Sequence, residues 1–285
     1  MKTREKRIKS GKILEVQLYP VTDNGRRRDC KHRLTSEAQK RINHKNKIKK
    51  LQRLIEANFK ENIDDYCTLT YRPEEMPKEY ADVHRDAELF VRRLRRKRRK
   101  AGLPELRYIY VIECTGGKRS PLRWHIHIII SGGIDRFTIK KLWKHGDYNK
   151  VEELVMNENG FEALAKYFTK EYNNELLPKN RKLYNPSRNL IKPTVTINDN
   201  PNIARTCSGI ARIAKERVND FEYWERKYKG YRFIACEPKY NEFNGWWYIF
   251  VRMCRDERIS SEHKRKDNCK HKTSKQKPQA VSPPI

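Results

Sequence analysis

Apolar and polar positions alternate along Tyr66, Cys67, Thr68, Leu69, Thr70 and Tyr71, and the run ends at Arg72 and Pro73. A two-residue period of this kind predicts a β-strand, and the residue before a proline is turned away from helical angles. Residues 106–114, rich in Tyr, Val and Ile, predict a second strand, and 124–130 a third, closed by Gly132 and Gly133. The Gly/Ser/Pro stretch 115–121 between them suits a hairpin connection. Shorter strand patterns fall at 13–19, 231–237 and 246–253.

Helical periods alternate with these strands. Thr35, Ser36 and Glu37 open a helix from about residue 36, since a hydroxyl caps and an early acid suits the helix dipole. Leu51, Leu54, Ile55 and Phe59 then share a face. A helix over 82–100 carries Phe90 and Leu94 one turn apart and stops at Gly102. Further helices cover 135–146, with Phe137, Leu142 and Trp143, and 160–176, with Phe161, Leu164, Tyr167 and Phe168. Residues 203–228 read as helical, and 178–202, with four prolines, as loop. The order strand, helix, strand, strand, helix, helix predicts an α+β fold: a central antiparallel sheet with helices on one face. The expected divisions are a basic N-terminal region over 1–55, a core over 56–195, a C-terminal helix and strand pair over 196–254, and a basic, disordered tail over 255–285.

Charge changes the picture. Lys and Arg total 65 against 36 Asp and Glu, a formal net charge of +29 that recurs along most of the chain. Counterion release from a polyanion is the expected driving force for binding. Nucleic acid is favoured over membrane, because no apolar stretch reaches a spanning length. The charged N-terminus has no apolar run behind it, so a soluble, cytoplasmic protein is expected. Seven cysteines, an odd number without any C-x-x-C, argue against a disulfide framework or a zinc finger. Cys67 and Cys114 fall in strands and read as small core residues, and Cys269 with His271 lies in the polar tail. Arg92, Arg93, Arg95, Arg96 and Arg98 make the 82–100 helix a candidate DNA-facing element, with Arg123 and Lys166 as further candidate DNA contacts. The same charges also suit a plain solvated face.

The chemistry concentrates elsewhere. In the strand 124–130, His125 and His127 point to one face while Ile126 and Ile128 point to the other. Two neutral imidazoles on one strand are half of a divalent-metal site. Glu113 ends the preceding strand, and across a hairpin it lies within reach of that face. Two imidazoles and a carboxylate suit Mg²⁺ or Mn²⁺; a solvated glutamate at a strand end is the plainer alternative. Tyr167 and Lys170 are neighbours at i, i+3 on a helix. A tyrosine hydroxyl is a poor nucleophile near neutrality, and a nearby ammonium with a metal-polarised phosphate would ease its attack. In isolation the pair also fits a helix-surface tyrosine beside a solubilising lysine.

Taken together, these residues resemble the HUH endonuclease superfamily of rolling-circle replication initiators, over roughly residues 55–195. The superfamily's first motif is a strand like 66–71. Its second is His-hydrophobic-His, here His125, Ile126 and His127, with an acidic residue matched by Glu113. Its third is a helix with Tyr-x-x-Lys, here Tyr167 to Lys170. The likeness is greatest to replication proteins of small single-stranded DNA phages and bacterial plasmids. Asn58 and Phe59, Leu142, Trp143 and Gly146, and Ser187 through Leu190 with Pro193 add to it.

The resemblance implies an HUH/RRM-like sheet and metal-dependent, site-specific nicking of single-stranded or hairpin origin DNA. A 5′-phosphotyrosine would form at Tyr167, Lys170 would assist, and the freed 3′-OH would prime a host polymerase in the bacterial cytoplasm. Many phage members carry a second tyrosine one turn before the first; that position here is Ala163, so a single-tyrosine enzyme is expected. Tyr172, five residues on, points about 140° away on a regular helix. No Gly-Lys-Ser/Thr phosphate loop occurs, which makes a host helicase an expected partner. A relaxase or transposase of the same superfamily is one alternative, though no third histidine stands near the pair. A non-catalytic nucleic-acid-binding protein using Trp246 and Trp247 is another, and a ribosomal-type RNA binder rests on charge alone.

Overall fold

The computed structural model describes residues 2–21, 37–117, 120–157, 160–170 and 176–256. In chain order the elements are β1 (Lys2–Ser10), β2 (Ile13–Val21), α1 (Glu37–Asn58), β3 (Asp65–Thr70), α2 (Tyr80–Lys100), β4 (Tyr108–Gly117), β5 (Ser120–Ile130) and α3 (Arg136–Leu142). They continue as β6 (Lys150–Glu153), α4 (Glu162–Phe168), β7 (Asn185–Pro186), β8 (Thr194–Asn198), α5 (Cys207–Glu216), α6 (Phe221–Lys227), β9 (Tyr231–Asn241) and β10 (Trp246–Arg255). The chain forms two compact units, one over 29–193 and the other joining 1–28 to 194–285. The fold is α+β, with one antiparallel five-stranded sheet in each unit.

In the 29–193 unit the strand order is β6-β3-β5-β4-β7. Central β5 is buried on both faces, which is why its second half reads as an unbroken run Ile128, Ile129, Ile130. One face presents Cys67, Leu69, Ile112, Ile126 and Ile128 to α2 and α3, where Phe90, Leu94 and Ile139 complete the core. The other presents Ile109, Val111 and Ile129 to α1 and α4, against Leu51, Ile55, Phe59, Ala165 and Phe168. Helices thus cover both faces, where the sequence pattern places them on one. The apolar stripe on the α1/α4 face ends at Ile129, and His127, His125 and Arg123 follow on the same side of β5.

Several local boundaries differ from the sequence pattern for identifiable reasons. The helix expected to reach residue 146 stops at Leu142, because Trp143 turns extended and its Nε1 donates to the Thr70 carbonyl. Gly146 then passes so close to β3 that a Cβ there would lie 2.1 Å from the Thr70 oxygen. Strands β6, β7 and β8 are short or wholly exposed and so lack a buried period. The helix read over 203–228 is two helices, capped separately by Thr206, which accepts from Gly209 N, and by Asp220, which accepts from Tyr223 N. Cys67 and Cys114 are buried core residues with free thiols.

In the other unit the order is β8-β1-β2-β10-β9. Leu14, Val16, Leu18, Ile249, Val251 and Met253 pack against Ile210, Ile213 and Trp224 of the helices. Strand β1 escapes sequence reading because three of its buried positions, Thr3, Glu5 and Ser10, are polar. Glu5, 2% exposed, accepts a 2.6 Å hydrogen bond from the Tyr228 hydroxyl. Both of its oxygens are also held by Arg7, at 2.8 and 3.0 Å, and the Arg7 guanidinium lies 5.1 Å from the Tyr228 ring centre. Burial pushes the Tyr228 hydroxyl well above its ordinary pKa, with the Glu5 charge adding to the effect. No described helix is long and apolar enough to cross a membrane. Tyr172, Cys269, His271 and the expected tail from 257 onward lie outside the described residues.

Candidate active site

Strand register assembles the polar end of the α1/α4 face. Glu113 on β4 stands directly opposite His125 on β5, and Thr68 on β3 directly opposite His127. Odd positions 113, 125 and 127 therefore share one side of neighbouring strands with Tyr66 and Thr68. His127 Nε2 lies 2.7 Å from Glu113 Oε2. Its other ring nitrogen, Nδ1, is 2.8 Å from the Tyr66 hydroxyl and 3.2 Å from Thr68 Oγ1. With Tyr66 donating to Nδ1, the proton sits on Nε2 and faces the carboxylate. The Tyr66 and His127 rings lie nearly parallel, 6.1 Å apart, which fixes the imidazole plane further.

Helix α4 brings the tyrosine. Ala165 and Phe168 anchor it in the core, and Thr169 ends it, with its hydroxyl bonded back to the Ala165 carbonyl at 2.9 Å. Tyr167 then projects its hydroxyl onto the pair: it donates to Glu113 Oε2 at 3.1 Å and lies 3.0 Å from His127 Nε2. Lys170 sits just past the helix end, not within it, yet meets the same group. Its Nζ is 2.6 Å from Glu113 Oε1 and 4.0 Å from the centre of the Tyr167 ring. The spacing argument for Tyr167 and Lys170 thus reaches the observed neighbourhood although the helix is shorter than its pattern.

The electrostatics follow from this crowding. Glu113 is 7% exposed. Burial alone would raise its pKa, but hydrogen bonds from His127 and Lys170 outweigh burial and hold it at about 2. His125 is half-buried, and burial pushes its pKa down, opposed in part by Glu113. Its neutral imidazole is the form that binds metal. Burial pushes the Tyr66 hydroxyl up, so it serves as a neutral hydrogen-bond donor.

Two imidazoles and a carboxylate on one face, with His127 oriented through Nδ1, are a donor set that fits a divalent cation. In their present rotamers the three do not converge: the His125 and His127 ring centres are 6.5 Å apart, and no group of three His, Cys, Asp or Glu among the described residues stands in metal-holding geometry. The His127–Glu113 hydrogen bond occupies the two atoms that an ion would take.

The candidate DNA contacts separate. Arg123 is exposed and lies on the same side of β5 as the histidines. Lys166 is exposed and paired with Glu162 at 2.6 Å. The α2 arginines belong to the opposite side of the sheet. Arg92 and Arg96 are exposed there, and Arg93 donates to the Leu142 carbonyl at 3.4 Å. Arg98 departs from its reading as a DNA contact. It is 4% exposed and its guanidinium donates to the carbonyls of Pro104, Ser131 and Gly132, tying the end of α2 to the loop after β5. Tyr66 and Thr68 are visible in the strand motif but not as partners of the site; their place in the strand next to the histidine face is the available signal.

Residues 64–172 match a family model for replication-associated proteins of the ORF2 type. No curated protein and no solved structure matches the chain.

Proposed function

We propose that this chain initiates DNA replication by nicking single-stranded DNA, with Tyr167 as the nucleophile. The observation that carries the proposal is the Tyr167 hydroxyl, within hydrogen-bond distance of both Glu113 and His127 and next to Lys170. The match of residues 64–172 to a replication-associated family supports the same reading. So does the net charge of +29, which suits a polyanionic partner.

Tyr167 Oη attacks a backbone phosphorus. The Oη–P bond forms and the P–O3′ bond breaks, leaving a 5′-phosphotyrosine and a 3′-OH. The phenolic proton passes to Glu113 Oε2, to which it is already donated, and the departing O3′ takes a proton from water. Lys170 offsets negative charge beside the phenolate and fixes the ring through its face. Tyr66 and Thr68 hold His127 in one tautomer. Glu113, His125 and His127 would hold a divalent cation, Mg²⁺ or Mn²⁺, which would polarise the phosphate for attack. Arg123, beside the histidines on β5, is placed to neutralise a neighbouring phosphate. The freed 3′-OH would prime a host polymerase, with a host helicase opening the duplex. Ala163 offers no second nucleophile, so closure would run by attack of a 3′-OH on the phosphotyrosine.

The test is incubation of labelled origin-like single strands with the protein and Mn²⁺ or Mg²⁺. A covalent protein–DNA adduct on the 5′ side, absent from Tyr167→Phe, is the expected result. An adduct that persists in Tyr167→Phe overturns the assignment, and binding that never yields a nick with either metal overturns the nicking activity.

A further inference from the structure

A second concave site lies on the opposite side of the same sheet, within the 29–193 unit. It is a cleft of about 680 Å³ between β4, α2 and the segment around β7, a size ordinary for small-ligand sites. Its floor is the tyrosine pair of β4. Tyr108 and Tyr110 project to the side away from Glu113, their rings 6.1 Å apart and 19° from parallel. The Arg95 guanidinium of α2 lies 5.5 Å from the Tyr108 ring centre. The third wall is pinned to β4: Ser187 N donates to the Tyr108 carbonyl at 2.9 Å, and Tyr108 N donates to Ser187 Oγ at 3.1 Å.

Two polar atoms on these walls are buried and lack any partner, Arg95 Nε and Asn189 Oδ1. Buried polar groups are normally paired, so orphans invite an explanation. The Asn189 amide cannot simply be reversed. Its Nδ2 donates to the Leu106 carbonyl at 3.2 Å, and a carbonyl can only accept, so Oδ1 is the atom left over. One wall therefore offers an unused donor and another an unused acceptor. Glu88 and Glu105 add exposed acceptors, and Lys182 and Arg188 add cations at the rim. Among the described residues, Lys182 and Arg188 have no ion-pair partner.

From this arrangement we infer that the cleft binds a nucleotide, with the base against Tyr108 and the phosphate on Lys182 and Arg188. A flat aromatic ring suits a floor of stacked tyrosines flanked by a guanidinium. A base edge that both accepts and donates answers Arg95 Nε and Asn189 Oδ1 together. The surplus of acceptors favours a base with an exocyclic amino group, guanine foremost, over thymine. The site does not depend on the nicking proposal: it lies across the sheet from Tyr167 and shares no residue with it. The nucleotide can be free or part of a single strand, since both present the same base and phosphate.

The test uses the full chain and calorimetric titration with dGMP, dAMP, dCMP and dTMP. In parallel, thymine oligonucleotides with and without one internal guanine are titrated. Binding of dGMP tighter than dTMP is expected. Asn189→Leu and Arg95→Met are each expected to weaken dGMP about tenfold. Arg188→Gln with Lys182→Gln, both changes at the rim that leave the core packing intact, should weaken dGMP but not deoxyguanosine. Tyr167→Phe should bind dGMP as the parent does, which keeps this result separate from any outcome on nicking. A guanine-dependent gain on the oligonucleotide without binding of free dGMP assigns the site to single strands; both together assign it to nucleotides generally. No preference among the four bases, unchanged affinity in the cleft variants, or selective capture of a lysine-rich peptide in place of nucleotides overturns the inference.

Discussion

Each unit of this protein contains a tyrosine hydroxyl donating to a carboxylate, with a cation both paired to that carboxylate and lying over the tyrosine ring. In one unit the three are Tyr228, Glu5 and Arg7; in the other they are Tyr167, Glu113 and Lys170. The geometry is similar and the surroundings are not. Tyr228 is buried at 5% exposure and both Glu5 oxygens are taken by one guanidinium fork, so the trio closes on itself. Around Glu113 the cation is a half-exposed lysine, Tyr167 is half-buried, and His127 bonds both the carboxylate and the phenol. A tyrosine–carboxylate–cation trio is therefore not by itself a sign of chemistry. Access to the hydroxyl and the histidine behind it distinguish a reactive arrangement from a structural one.

Paired substitutions test that distinction. Tyr167→Phe should abolish the covalent DNA adduct, whereas Tyr228→Phe should leave adduct formation intact and lower stability by about 1–2 kcal/mol. Adduct assays beside thermal melts read both, and loss of the adduct in Tyr228→Phe with a normal melt would dissolve the contrast. Glu113→Gln should slow nicking by about 10²–10⁴-fold, the range for a displaced proton acceptor. Glu5→Gln should leave the rate within about threefold while costing about 1–3 kcal/mol in a denaturant titration. Lys170→Met should slow nicking by about 10²-fold, as for loss of one charge-stabilising donor. Arg7→Met should register only in the melt.

The smallest effect is on pH. Glu113 has a depressed pKa of about 2. Its ionised form stabilises the fold above the unfolded value of about 4.3, and this contribution fades as pH falls toward 2. With chelator present, the melting difference between the parent and Glu113→Gln should thus shrink as pH falls from about 5 to 3. A difference that is flat or grows on acidification means that the carboxylate is not held by His127 and Lys170 as described.

Much of the site unit is legible in the sequence because its strands bury alternate or continuous apolar residues. The 66–71 and 124–130 patterns locate β3 and β5, and the parity of His125 and His127 with Glu113 follows from strand geometry alone. Tyr167 and Lys170 are legible as neighbours, but the stop at Phe168 is not, since Thr169 ends the helix by bonding its own backbone. Arg98 is misread because a row of like charges conceals which member turns inward; only the carbonyls of Pro104, Ser131 and Gly132, brought together by the fold, distinguish it. Strand β1 is illegible for the opposite reason. Its buried residues are polar, and their partners Ala204 and Tyr228 lie some two hundred residues away.

That distance has a consequence for synthesis. Strand β2 pairs on one side with β1 and on the other with β10, which leaves the ribosome about 230 residues later. At roughly 5–20 residues per second, the nascent hairpin waits some ten to fifty seconds with Leu14, Val16 and Leu18 unsheltered. All five strands of the site-bearing sheet emerge within that interval, between residues 65 and 186. The candidate nicking unit can therefore be complete while the two ends of the chain still await one another, and a chaperone that shields β2 would act during that delay.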